Sequence, residues 1–337
     1  MSIDTDISLW LSVGFIIFGL YVLTKSADMF VDASAGIARY FGISPLIVGM
    51  VIIGFGTSAP ELAVSAISAT GGHPSLSLGN AYGSCIFNIA GILGIIALIK
   101  PILVKPSVNA IAVPILLFVS GLSYFLLYDK EFSRCDGIIL LSIFVVLLPI
   151  YCWYDQKSIN VTDGGCSDGK KCQLQNKRQL LKEFLIVITG LLLLVTSSHV
   201  LVWGCVDFAR DVLGVSDLLI GLTIVAVGTS LPELASAIVS VRKGENEFVV
   251  GNIIGSNLFN SLAVAGIAGA ISPFKGFSRY MLLRDLPLLI ILTVSIAVFS
   301  LNYKKIKSPG TISRKNGLVW VLLFIVYSIV MILEEIS

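Results

Sequence analysis

Gly56-Thr57-Ser58-Ala59-Pro60-Glu61-Leu62 returns as Gly228-Thr229-Ser230-Leu231-Pro232-Glu233-Leu234, identical at six of seven positions and displaced by 172 residues. A second stretch keeps that displacement. Gly79-Asn80-Ala81-Tyr82-Gly83-Ser84-Cys85-Ile86-Phe87-Asn88 corresponds to Gly251-Asn252-Ile253-Ile254-Gly255-Ser256-Asn257-Leu258-Phe259-Asn260. One constant displacement across two motifs marks a duplicated unit. Each copy sets polar side chains, a proline and a carboxylate inside apolar sequence. Polar groups at membrane depth are costly, and by default they mark an ion or substrate path.

The sequence around these motifs sets the class. Of 337 residues, 56% are hydrophobic and 13% charged, and the mean hydropathy is +0.94. That combination excludes an ordinary soluble domain and indicates a polytopic membrane protein. A net charge of +2, without a basic tract carrying interleaved aromatics, gives no reason to expect a nucleic-acid partner. The six cysteines lack the spacing of a zinc or redox site, and no cofactor is expected. The opening Met1-Ser2-Ile3-Asp4-Thr5-Asp6 has acids and no base, so the first apolar run reads as a retained membrane helix, not a signal peptide.

A span needs roughly 20 apolar residues. That rule predicts helices over 7–34, 45–70, 76–99, 107–127 and 136–154, then 180–209, 217–241, 247–272, 281–301 and 317–333. The expected fold is all-α, with ten membrane helices in two five-helix repeats, 1–154 and 180–337. Residues 155–179 form the polar linker. Five spans is an odd number, so the second repeat must enter the membrane from the opposite side, the inverted arrangement of secondary transporters. Lys and Arg crowd around the linker (Lys157, Lys170, Lys171, Lys177, Arg178) and on loops of the same side. This bias predicts a cytoplasmic linker and both termini outside.

Pro60 and Pro232 interrupt their helices, and the carbonyls so freed need a partner in lipid, for which a cation serves. Asn80, Ser84 and Asn88 lie on one helix face, as do Asn252, Ser256 and Asn260. The glycines at 79 and 83, and at 251 and 255, form GxxxG pairs that admit a neighbouring helix. Glu61 and Glu233 have no basic residue in their own spans. With hydroxyl, amide and backbone oxygens around them, two carboxylates make a set that suits a hard cation, and their charge matches one divalent ion.

These paired motifs resemble the alpha-repeats of the cation/calcium exchanger superfamily, in particular the prokaryotic sodium/calcium exchangers. The resemblance covers essentially all ten predicted spans. It implies an inverted-repeat antiporter whose first and sixth helices move across a core holding the ion sites. It implies Glu61 and Glu233 as carboxylate ligands, and hydroxyls from Ser58, Ser230, Ser84 and Ser256. Thr57 and Thr229 would contribute carbonyls, and Asn88 and Asn260 amide oxygens. Two departures from the pattern stand out. Cys85 replaces the asparagine found in the second copy as Asn257, and both Asn88 and Asn260 are amides where many relatives carry an aspartate at one position.

The expected function is exchange of Ca²⁺ for Na⁺, with Ca²⁺/H⁺ antiport as the alternative, in which the glutamates carry the protons. The expected partners are these ions and the bilayer. An enzyme is not expected: an intramembrane hydrolase would need one asymmetric catalytic set, whereas the acids here are duplicated and His199 has Ala27 at its corresponding place. A passive channel fits proline-broken helices with buried carboxylates less well than alternating access does.

Overall fold

Without water to satisfy the backbone, apolar runs of this length must close their hydrogen bonds internally, and the chain does so almost entirely as helix. The computed structural model describes residues 3–41, 43–71, 74–162, 177–208, 226–275, 279–301 and 308–336. The helices are α1 (Ile3–Phe41), the bent pair α2 (Pro45–Thr57) and α3 (Ala59–Thr70), α4 (Leu76–Ile99), α5 (Val108–Leu126) and α6 (Arg134–Thr162). They continue with α7 (Lys177–Asp207), α8 (Leu231–Arg242), α9 (Asn246–Ile271), α10 (Met281–Ser300) and α11 (Arg314–Ile336). Among the described residues seven helices are long and apolar enough to cross a membrane, or eight if α2 and α3 make one span. The expected span 136–154 lies within α6, and 217–225 of the expected seventh span falls outside the described residues.

Glycine decides how closely the central helices approach. A Cβ on Gly251 would lie 2.4 Å from the Leu46 carbonyl, and one on Gly255 would lie 2.3 Å from that of Met50, so α9 packs backbone to backbone on α2. Residues 218–222, which correspond to Leu46–Met50 by the same displacement, lie outside the described residues. α1 packs along α7, with Gly190 against Phe30 and Gly204 against Ser12 and Phe15.

Two short ribbons tie the helix ends. β1 (Ile102–Val104) pairs antiparallel with β4 (Gly310–Ile312), and β2 (Glu131–Phe132) with β3 (Phe274–Lys275). Each ribbon joins a strand that follows one copy of the second motif to a strand that precedes the last helix of the other half. α1 and α6 outrun the apolar stretches expected for them because a helix can continue into the polar interface. Residues 155–162 and 177–179 of the expected linker are helical, and 163–176, with Cys166 and Cys172, lie outside the described residues.

Candidate ion-binding site

The site begins at the two proline breaks. α2 and α3 bend by 42° at Ser58. Pro60 has no N–H to give and its ring blocks a continuous helix, so it takes a first-turn position of α3. Ser58 leaves helical geometry at φ −85°, ψ 9°, and Ser230 does the same at φ −95°, ψ 13° ahead of Pro232. Both breaks leave a glutamate in the first turn of the following helix, Glu61 in α3 and Glu233 in α8. The exposed N–H groups of a helix start favour a carboxylate there.

Each motif then reaches across to the other. Ser58 Oγ donates to Glu233 Oε1 at 2.8 Å, and Ser230 Oγ donates to Glu61 Oε1 at 3.0 Å. Ser84 Oγ lies 3.5 Å from Ser230 Oγ. The serine of each copy thus holds the carboxylate of the other, and the two motifs form one site. Both glutamates are fully buried, and neither pairs with a base among the described residues.

Other polar groups of the motifs hold the helices around this pair. Asn80 Nδ2 donates to the Glu61 carbonyl at 3.1 Å, and Asn252 Nδ2 to that of Glu233 at 3.3 Å. These two asparagines therefore clamp the glutamate-bearing helices through their amide donors. Thr57 Oγ1 donates to Ile53 O at 2.9 Å, and Ser256 Oγ to Gly54 O at 3.0 Å. Ser256 is thus tied to the broken helix α2, whereas its counterpart Ser84 stands beside Ser230. Thr229 is half-buried at the second break.

What remains is a set of buried acceptors. Among the described residues, Glu61 Oε2, Glu233 Oε2, Asn88 Oδ1 and Asn260 Oδ1 have no hydrogen-bond partner, and neither has Asn260 Nδ2. Burying such atoms unsatisfied costs roughly 1–3 kcal/mol each and more when they are charged, so they call for a ligand. Asn88 lies in a π-helical segment (Phe87–Leu93), and Asn260 opens another (Asn260–Val264), at the same displacement. Such wide turns recur at functional sites. The described residues hold no cluster of three or more His, Cys, Asp or Glu. The donor set is two carboxylates and neutral oxygens, which fits Ca²⁺ or Na⁺ as a transported substrate.

Two contacts around the motifs carry no signal in the sequence. Ser198 Oγ of α7 donates to the Gly228 carbonyl at 2.9 Å, tying that helix to the second motif. Asp28 and Asp32 of α1 pair with Lys243 after α8 at 3.4 and 2.8 Å. His199 is exposed on α7. His73, Arg210 and Asp211 lie outside the described residues.

The family profile described as "Sodium/calcium exchanger protein" matches residues 11–153 and 182–333. The chain is 38% identical to the putative antiporter CaxA of Alkalimonas amylolytica, over 93% of this chain and 96% of that one. It is 25% identical to the sodium/calcium exchanger MaX1 of Methanosarcina acetivorans, over 95% and 99%. Among solved structures it is similar to the sodium-calcium exchanger NCX_Mj soaked with 10 mM Na⁺ and zero Ca²⁺. There the TM-score is 0.79 and the identity 28%, over 94% of this chain and 98% of that one. The chain belongs to the sodium/calcium exchanger protein family of the cation/calcium exchanger superfamily.

Proposed function

We propose that this protein is a secondary antiporter that exchanges Ca²⁺ for Na⁺ across the plasma membrane by alternating access. The observation that carries the reading is the reciprocal pair: two buried glutamates from equivalent motifs, each held by the other motif's serine, each with one oxygen unpartnered. Two negative charges neutralise one Ca²⁺, and a desolvated carboxylate pair needs such compensation. Glu61, Glu233, Ser58, Ser230 and Ser84 would form the centre of the site. Asn88, Asn260, Ser256 and the carbonyls of Thr57 and Thr229 would complete the oxygen shell, and its neutral members would hold Na⁺ when Ca²⁺ leaves. In this reading the chain is two inverted five-helix repeats, with both termini outside and the linker cytoplasmic. α1 and α7 slide across the core to expose the site to either side.

Na⁺ coupling is supported by the number of neutral oxygens in both copies and by the sodium/calcium exchangers among the relatives. The test is Ca²⁺ uptake by proteoliposomes loaded with Na⁺, with equal pH on both sides and a protonophore present. An outward Na⁺ gradient should drive uptake. If it drives none, while a pH gradient does so without Na⁺, the coupling ion is H⁺ and the glutamates carry it.

A further inference from the structure

The two copies of the second motif end unequally. Asn257 of α9 and Cys85 of α4 occupy corresponding places and touch each other. Asn257 Nδ2 donates to the Cys85 carbonyl at 3.2 Å, and Cys85 Sγ donates weakly to the Asn257 carbonyl at 3.6 Å. Each residue performs the donor half of a reciprocal contact, but only the asparagine has a second polar end. A backbone carbonyl can only accept, so the end of Asn257 that faces Cys85 is its NH₂. Its Oδ1 is left for Asn88, and that oxygen also can only accept. Asn88 must therefore present Nδ2, at 3.1 Å. The Asn88 amide is fixed in one sense, with its own Oδ1 buried and unpartnered.

In the other copy the chain of constraints stops. The residue that would orient Asn260 is Cys85, which has no acceptor oxygen. Its Sγ meets the Asn257 carbonyl and, at 3.5 Å, Ser261 Oγ. Among the described residues, Asn260 keeps both amide ends buried without a partner.

We infer that Asn257 is a positioning residue for cation binding, acting through Asn88, and that Cys85 leaves Asn260 free to turn either end of its amide toward the site. One half of the shell is preorganised and binds without reorientation, whereas the other adapts to what is bound. This inference rests on the cation-binding reading above. A purely structural Asn257 would clamp α9 to α4 and act independently of Asn88.

A double-mutant cycle separates the two. Ca²⁺ and Na⁺ affinities are measured on purified full-length protein by radioactive Ca²⁺ binding and by the rise in Tm with added Na⁺. The set is wild type, Asn257→Ala, Asn88→Ala and the double variant, with Cys85→Asn in the presence and absence of Asn260→Ala. Asn257→Ala should weaken Ca²⁺ binding roughly fivefold, the scale of one hydrogen bond, and add nothing in the Asn88→Ala background. Cys85→Asn should tighten binding by several-fold, and only while Asn260 is present. The Cys85→Asn arm adds a partner instead of removing one, so it gives a reading even if Asn257→Ala does not fold. Equal effects of Asn257→Ala with and without Asn88 overturn the positioning role, and so does unchanged affinity in Cys85→Asn. Wild-type protein that binds neither ion overturns the site itself, so the two failures are distinguishable.

Discussion

The motif helices and the α1–α7 pair are built by different rules. In their most apolar stretches α9 and α4 are 94% and 78% buried inside the protein, against 28% for α1 and 33% for α7. α9 reaches the broken helix α2 through glycines whose missing side chains bring backbone against backbone. α1 and α7 also meet backbone to backbone, since a Cβ on Gly19 would lie 2.9 Å from the Leu201 main chain, but at Gly36 it would meet the carboxylate end of Glu183, at 2.5–2.7 Å. Such an end can swing aside, whereas a main-chain carbonyl cannot. The difference teaches that the motif helices form an enclosed block, while the pair beside it keeps most of its surface outside the core.

The strongest way to break this comparison is inside the block. Glu61→Gln and Glu233→Gln should each leave a folded protein and lower Ca²⁺ transport by at least about 100-fold, because an unmatched charge in a dry site costs about 3–5 kcal/mol. Near-normal flux in either variant refutes the shared site. Next comes packing. Gly255→Ala drives a methyl into the Met50 backbone and should destabilise by about 1–3 kcal/mol, read as a lower Tm in detergent. Gly36→Ala, displacing only Glu183, should cost less than about 1 kcal/mol. Equal Tm losses would erase the distinction between block and pair.

Smaller still is the tie between the two regions. Asp32 is largely exposed where it meets Lys243, so Asp32→Asn should change stability by less than about 1 kcal/mol, and by less again at high salt. A loss as large as that of Gly255→Ala would mean that α1 is locked to the block. Cysteine reactivity sharpens the picture without altering the fold. Cys135 is exposed and Cys85 buried, so a membrane-impermeant maleimide should modify Cys135 in intact cells and leave Cys85 untouched. Labelling of Cys166 or Cys172 from outside would reverse the proposed orientation.

Much of this was legible in the residues. The repeated displacement and the prolines at 60 and 232 pointed to two broken helices carrying equivalent glutamates, and both helices break at the preceding serine. The displacement could not say that Ser58 serves Glu233 and not Glu61, because equivalence in sequence does not reveal which copies face each other. Asn80 and Asn252 share a helix face with the candidate ligands, but their donor ends proved to be spent on main-chain carbonyls. Lys243 was hidden as the partner of Asp28 and Asp32 because it lies more than 200 residues away. Ser198 carried no motif at all.

The central claim is that one carboxylate from each motif makes a single Ca²⁺ site. Equilibrium binding of radioactive Ca²⁺ to the purified protein tests it most directly. The account predicts one Ca²⁺ per chain, displaced by Na⁺, and none retained at the same free Ca²⁺ in either Glu61→Gln or Glu233→Gln. One Ca²⁺ still bound in each single variant would contradict it, because each glutamate would then belong to a site of its own.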